Sequence, residues 1–301
     1  MERRSFHDEQ SRNKRDSILL AIVVSAVLFA LIVSISYIWD PTSVYIMVPV
    51  GVIITFIYTW SSYQYGDKVV LSSTGAQPAE GTKYIYLNDT VEGLAIAAGV
   101  PKPAVYVMPS MELNAYATGK NPEHASIAVT QGLLNTLDRQ ELEGVIAHEM
   151  SHIKNRDVEF MTLVAVLVGL AGILSHMILR SYLWGGGRRG RDRDKGGNIG
   201  LIIIVVGFLL AIFAPLLSRL VQMAVSRRRE FLADASGAEL TRYPDGLADA
   251  LEKISKINTG KMNVSESVSH LFISDPNKSA LDAIYSTHPP IEERIKRLRA
   301  M

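Results

Sequence analysis

The 301-residue sequence predicts an α+β domain combined with a transmembrane helical part of about four membrane helices. Three observations lead there. Four apolar stretches are long enough to matter to a bilayer; short strand patterns follow the second; and a capped, periodic helix ends in His148-Glu149-Met150-Ser151-His152.

Hydrophobic residues make up 48% of the chain. The stretches 18–38, 44–60, 160–179 and 199–217 approach or meet the ~20 residues needed to cross the hydrocarbon core. Ile18 to Ile38 carries no charge and ends at Trp39, an interface residue. It is too long for a cleavable signal peptide, and the second stretch follows a turn around Asp40 and Pro41, so the two read as a hairpin. Tyr45, Tyr58 and Trp60 anchor that second stretch, which is short. Arg3, Arg4, Arg12, Lys14 and Arg15 precede the first span, whereas residues 39–43 carry no Lys or Arg. The tail therefore faces the cytoplasm, and the chain returns there after residue 60. A multi-pass protein of the plasma membrane is expected, and the absence of cysteine agrees with a reducing compartment.

The organisation expected is a cytoplasmic tail (1–17), a transmembrane hairpin (18–60), a first soluble part with the histidine helix (61–158), a second hydrophobic hairpin (159–225) and a second soluble part (226–301). The loop 180–198 of the second hairpin holds Arg180, Arg188, Arg189, Arg191, Arg193 and Lys195, which resists export. Lys154, Arg156, Arg219 and Arg227 to Arg229 hold the opposite flanks inside about as strongly. Two crossings are expected, since a soluble helix pair rarely needs ~20 apolar residues in each member.

In the soluble part, residues 91–98 form a short helix closed by Gly99, with Pro101 and Pro103 beyond it. Residues 104–108, 114–117 and 125–130 are strands. Asp138 then caps the histidine helix, Glu141 completes a capping box, and Leu142, Val145, Ile146, Met150 and Ile153 form its apolar stripe. Residues 230–258 are helical with a break from Thr241 to Gly246. The stretch 259–287 is a loop-rich insertion, and Ile291, Ile295 and Leu298 mark a terminal amphipathic helix behind His288.

On a helix, His148 and His152 share a face and can reach one tetrahedral zinc ion, with Glu149 beside the open fourth position as general base. The bland alternative is two packed core histidines. About eighty residues on, Arg229-Glu230-Phe231-Leu232-Ala233-Asp234 offers Glu230 as third ligand. Asp234, one turn later, suits the carboxylate that orients a ligating imidazole. An oxyanion donor is also needed, and Tyr116, His288 and the arginines before Glu230 remain open. His288 points into the cleft or simply caps its helix.

These motifs, together with Asn114-Ala115-Tyr116-Ala117-Thr118-Gly119 and Thr287-His288-Pro289-Pro290, resemble the HtpX-type membrane zinc metallopeptidases, whose wider family includes the CAAX prenyl endopeptidases. The resemblance covers nearly the whole chain. It implies a gluzincin fold, one zinc ion per chain with Glu as third ligand, hydrolysis of peptide bonds in misfolded or damaged membrane proteins, and a role in stress-related quality control. It also implies that Asn114 to Ala117 is the edge strand along which an extended substrate lies. Two rival classes are a proteolytically inactive membrane scaffold and a module that binds anionic lipid through the basic loop and Arg227 to Arg229. Nucleic acid is not expected as a partner: the net charge is +1, and the basic runs flank apolar spans.

Overall fold

The computed structural model describes residues 44–167, 227–262, 264–277 and 289–301, with scattered positions between 15 and 42 and Gly169. The expected first span is helical at the described positions between 18 and 37. The fourth stretch, the loop 180–198, the end of the third stretch and His288 lie outside the described residues.

Helix α1 (Val44–Ser73) runs well past the expected end at residue 60. Gly66 is carried within the helix without ending it, and Gly75, in the left-handed region at φ 66°, follows its end. Among the described residues it is the one helix long and apolar enough to cross a membrane, with mean hydropathy 1.5 over an 18-residue window within Tyr45–Ser73. Its far end is different: Val70 and Leu71 are buried against the rest of the protein.

Four strands follow, β1 (Gln77–Pro78), β2 (Ala104–Met108), β3 (Ala115–Gly119) and β4 (Ala125–Thr130), in the order β1-β2-β4-β3. β2 and β4 are parallel; the other pairs are antiparallel. Side chains alternate across the sheet, so its two faces have different partners. Val105, Val107, Ala115, Ala117, Ile127 and Val129 join the main core with helices α2 (Ile85–Ala98), α4 (Arg139–Lys154) and α6 (Pro244–Ile257). Met108, Tyr116 and Ala128 face the other way, onto Val70 and Leu71 of α1 and onto Phe160, Met161 and Val164 in the helical run 157–167. The sheet is thus clamped between the soluble helices and the ends of the apolar ones.

α3 (Gln131–Thr136) leads into α4, and α5 (Arg227–Thr241), α6, the short α7 (Glu266–Ser269) and α8 (Ile291–Leu298) complete the domain. The expected capping box is present: the Asp138 carboxylate accepts from the Gln140 and Glu141 amides, and Glu141 accepts from the Asp138 amide at 2.8 Å. Glycine sets the spacing around α4. A Cβ on Gly144 would stand 2.6 Å from the Leu247 nitrogen of α6, and one on Gly237 of α5 would stand 3.0 Å from the His148 nitrogen. Two details differ from expectation. α2 starts at Ile85 rather than at 91, because the buried Leu87 and Val91 continue its packed face. β3 starts at Ala115 and runs to Gly119, because the Asn114 side chain is engaged elsewhere.

Candidate metal centre

His148 and His152 lie on one face of α4 and are almost fully buried. Their Nε2 atoms are 3.2 Å apart. Glu230, on the first turn of α5, brings Oε2 to 3.7 Å from His148 Nε2 and Oε1 to 3.6 Å from His152 Nε2. The three donors stand within 4.8 Å of one another. Metal–nitrogen and metal–oxygen bonds of ~2.0–2.1 Å at tetrahedral angles separate neighbouring ligands by about 3.3 Å, so the triangle fits one such ion.

The proton arrangement points the same way. Asp234 Oδ1 is 2.9 Å from His148 Nδ1, and Asp157 Oδ2 is 3.1 Å from His152 Nδ1. Each carboxylate holds the ring proton on Nδ1 and leaves an Nε2 lone pair aimed into the cluster. Across 3.2 Å the two Nε2 atoms can share a proton or a metal ion. Glu149 is also buried, and its Oε1 makes no hydrogen bond among the described residues.

Electrostatics describe an anionic hole. Burial pushes the Glu149 carboxyl up to about 8, with Glu230 adding to the rise against the pull of His152 and Arg294. Burial opposes a charged His152, but Asp157, Glu230 and Glu149 outweigh it and raise its pKa to about 9. For His148, burial dominates and lowers the pKa. Asp234 stays below the usual carboxylate range despite its burial, because Arg294 faces it.

Asp157 and Arg294 escaped the sequence reading. A left-handed residue, Arg156 at φ 61°, follows α4 and turns Asp157 back onto His152. Arg229 Nε stands 3.5 Å from its other oxygen. Arg294 of α8 is buried; its Nε and Nη2 donate to Asp234 at 2.9 and 2.7 Å, and its Nη1 lies 3.3 Å from Glu230 Oε2. Ile291, Arg294, Ile295 and Leu298 share one helix face, so an arginine on an apolar stripe was the available signal. The remaining candidates lie elsewhere. Tyr116 is buried on the opposite face of the sheet from α4, with its hydroxyl 2.7 Å from Thr74 Oγ1, so it is not brought to the cluster. Asn114 just before β3 and Ala115 and Ala117 within it are buried, and an Ala117 backbone hydrogen bond reaches the Glu149 carboxyl.

Residues 83–301 match the model of peptidase family M48. The chain belongs to that family. It is 45% identical over 301 residues to a Protease HtpX homolog of Caldanaerobacter subterraneus subsp. tengcongensis, spanning 100% of this chain and 99% of that protein. It is 42% identical over 297 residues to a Protease HtpX homolog of Dictyoglomus thermophilum, spanning 99% and 95%. A Streptococcus gordonii Protease HtpX homolog matches at 39% over 299 residues, spanning 98% and 99%. The crystal structure of S. mikatae Ste24p superposes with a TM-score of 0.50 at 22% identity, covering 97% of this chain and 66% of that one, which speaks for the fold alone. The M48 member described here is a metallopeptidase with a mixed α/β domain and a membrane-capable helix.

Proposed function

We propose that this M48 peptidase holds one zinc ion on His148, His152 and Glu230 and cleaves peptide bonds of misfolded or damaged membrane proteins at the cytoplasmic face of the plasma membrane. The observation that carries this reading is the triangle of buried donors beside Glu149, a carboxylate with a free oxygen. When bound, zinc supplies Lewis acidity to the scissile carbonyl and acidifies the attacking water. Glu149, standing beside that position, accepts the water's proton and passes it to the leaving amine. Asp234 and Asp157 keep the two imidazoles in the ligating tautomer, and Arg294 keeps Asp234 ionised. Asn114 to Ala117 present main-chain groups to an extended substrate, so affinity comes from the backbone with little sequence preference. Residues 61–158 and 226–301 form the catalytic domain, with the hairpins 18–60 and 159–225 crossing the bilayer.

Metal analysis of the purified chain, beside casein cleavage with and without a chelator, tests the reading. Glu149→Gln should retain stoichiometric zinc while cleavage falls by about two to four orders of magnitude. Zinc-loaded Glu149→Gln with near-normal cleavage would refute the role of Glu149.

A further inference from the structure

A substrate strand can pair with β3 only along the edge that β4 leaves open, yet that edge already has an occupant. Ile273 donates its amide to the Ala115 carbonyl at 2.9 Å, and Tyr116 and Phe272 form an antiparallel bridge. The Asn114 side chain grips the Ser274 peptide from both sides: its Nδ2 donates to the Ser274 carbonyl at 2.8 Å, and its Oδ1 accepts from the Ser274 amide at 3.3 Å. Arg294 Nη1 donates to the Ile273 carbonyl at 3.0 Å while the same nitrogen faces Glu230. A guest backbone would be held by these same groups. The occupant is therefore bound as a substrate strand is bound, beside the donor triangle, and its register lies over Ala115 to Ala117, next to Glu149.

We propose that Leu271–Ser274 is a built-in strap that fills the substrate groove and must swing off β3 before a polypeptide can be cleaved. This rests on the peptidase reading above and adds its regulation. The strap is itself buried: Leu271, Phe272 and Ile273 lie among the core side chains, and the His270 ring just before it donates to the Met161 carbonyl at 3.1 Å. The two ends of its segment are tied to each other: Met262 donates to the Pro276 carbonyl at 3.0 Å, and Asn277 Nδ2 to the Val264 carbonyl at 2.8 Å. It is held to the sheet by the strand pairing, by the Asn114 side chain and by the Phe272 ring, edge-on against Tyr116 at 5.0 Å between centroids, while Ile273 packs into the main core. An extended, unfolded chain offers the same backbone bonds and replaces it one for one, whereas a folded surface cannot enter. The strap thus selects for unfolded polypeptide.

The apparent affinity for substrate scales with the fraction of molecules whose groove is open. Ser274→Pro removes the amide that Asn114 holds, and Phe272→Ala removes the ring against Tyr116. In the zinc-loaded full-length protein, each variant should cleave a quenched-fluorescent extended decapeptide with kcat/KM raised several-fold through a lower KM, with kcat unchanged. A kcat/KM unchanged or lowered in both variants overturns the strap. A second measurement does not depend on either variant folding. With zinc-loaded Glu149→Gln and saturating decapeptide, hydrogen exchange at the amides of residues 271–274 should accelerate as the peptide binds. Peptide bound, as read by fluorescence anisotropy, with those amides still protected also overturns it. Full cleavage by Glu149→Gln would instead fault the assignment of the base, leaving the kinetic comparison of the strap variants to stand or fall separately.

Discussion

At the residue scale, each imidazole of the candidate centre has its own carboxylate, and the two carboxylates differ in what else they hold. Asp234 also neutralises the buried Arg294, whereas the buried Asp157 is faced by Arg229. Glu230→Ala should therefore remove most of the metal, while Asp157→Asn and Asp234→Asn should each weaken zinc affinity by roughly 10–100-fold, read by titration against a competing chelator. Asp234→Ala should cost more stability than Asp157→Ala, up to about 3–5 kcal/mol, because it leaves the buried Arg294 with Glu230 as its remaining carboxylate partner. Zinc affinity untouched by Asp157→Asn would remove Asp157 from the site. The same cluster sets a pH dependence. Glu149 and His152 both have folded pKa values above their ordinary ones, about 8 and about 9. A raised folded pKa contributes stability that is present below the unfolded value and lost as pH climbs to the folded one. Between pH 6.5 and 9 the metal-free protein should lose stability, with His148 neutral throughout, so the gain in Tm on adding zinc should widen across that range. A gain that is constant with pH, in melts with and without a chelator, contradicts this.

At the scale of elements, the fit of α4 against α5 and α6 places the ligands, and it rests on small residues. Gly144→Ala puts a Cβ 2.6 Å from the Leu247 backbone, where no flexible side chain can yield, so it should destabilise the fold by about 1–3 kcal/mol in thermal melts. A neutral substitution would mean that α6 slides freely on α4. Helix α4 was legible because local signals agree there: the capping box, the apolar stripe and the four-residue histidine spacing all specify one helix. The strands β2 and β4 were legible from β-branched runs bounded by turns. The strap was not, since Leu271-Phe272-Ile273-Ser274 carries no alternation and pairs with residues more than 150 positions earlier. Nor was Asp157, whose approach to His152 depends on the left-handed Arg156. Proximity across long sequence separations is decided by packing rather than by spacing.

At the scale of the whole molecule, the composition announced a membrane protein, and charge bias alone supplied its orientation. The soluble part packs on the end of α1 through Val70 and Leu71, and on the helical run 157–167 through Phe160 and Val164, so under the proposed topology the proposed catalytic residues would sit close to where those helices leave the bilayer. That proximity suits substrates which are themselves membrane proteins. It also makes topology a test of the chemistry. With the N-terminus inside and the hairpin 18–60 crossing twice, a cysteine placed at Asn121 should be shielded from an impermeant thiol reagent in intact cells, and the native chain contributes no background. A cysteine at Gly186 addresses the second hairpin: labelling from outside means that both of its stretches cross, and protection means that they do not. Two crossings or none leave His148, His152 and Glu230 on one side of the membrane, as their shared cluster demands. Labelling at Asn121 would move all three ligands, and the cleavage itself, to the outer face.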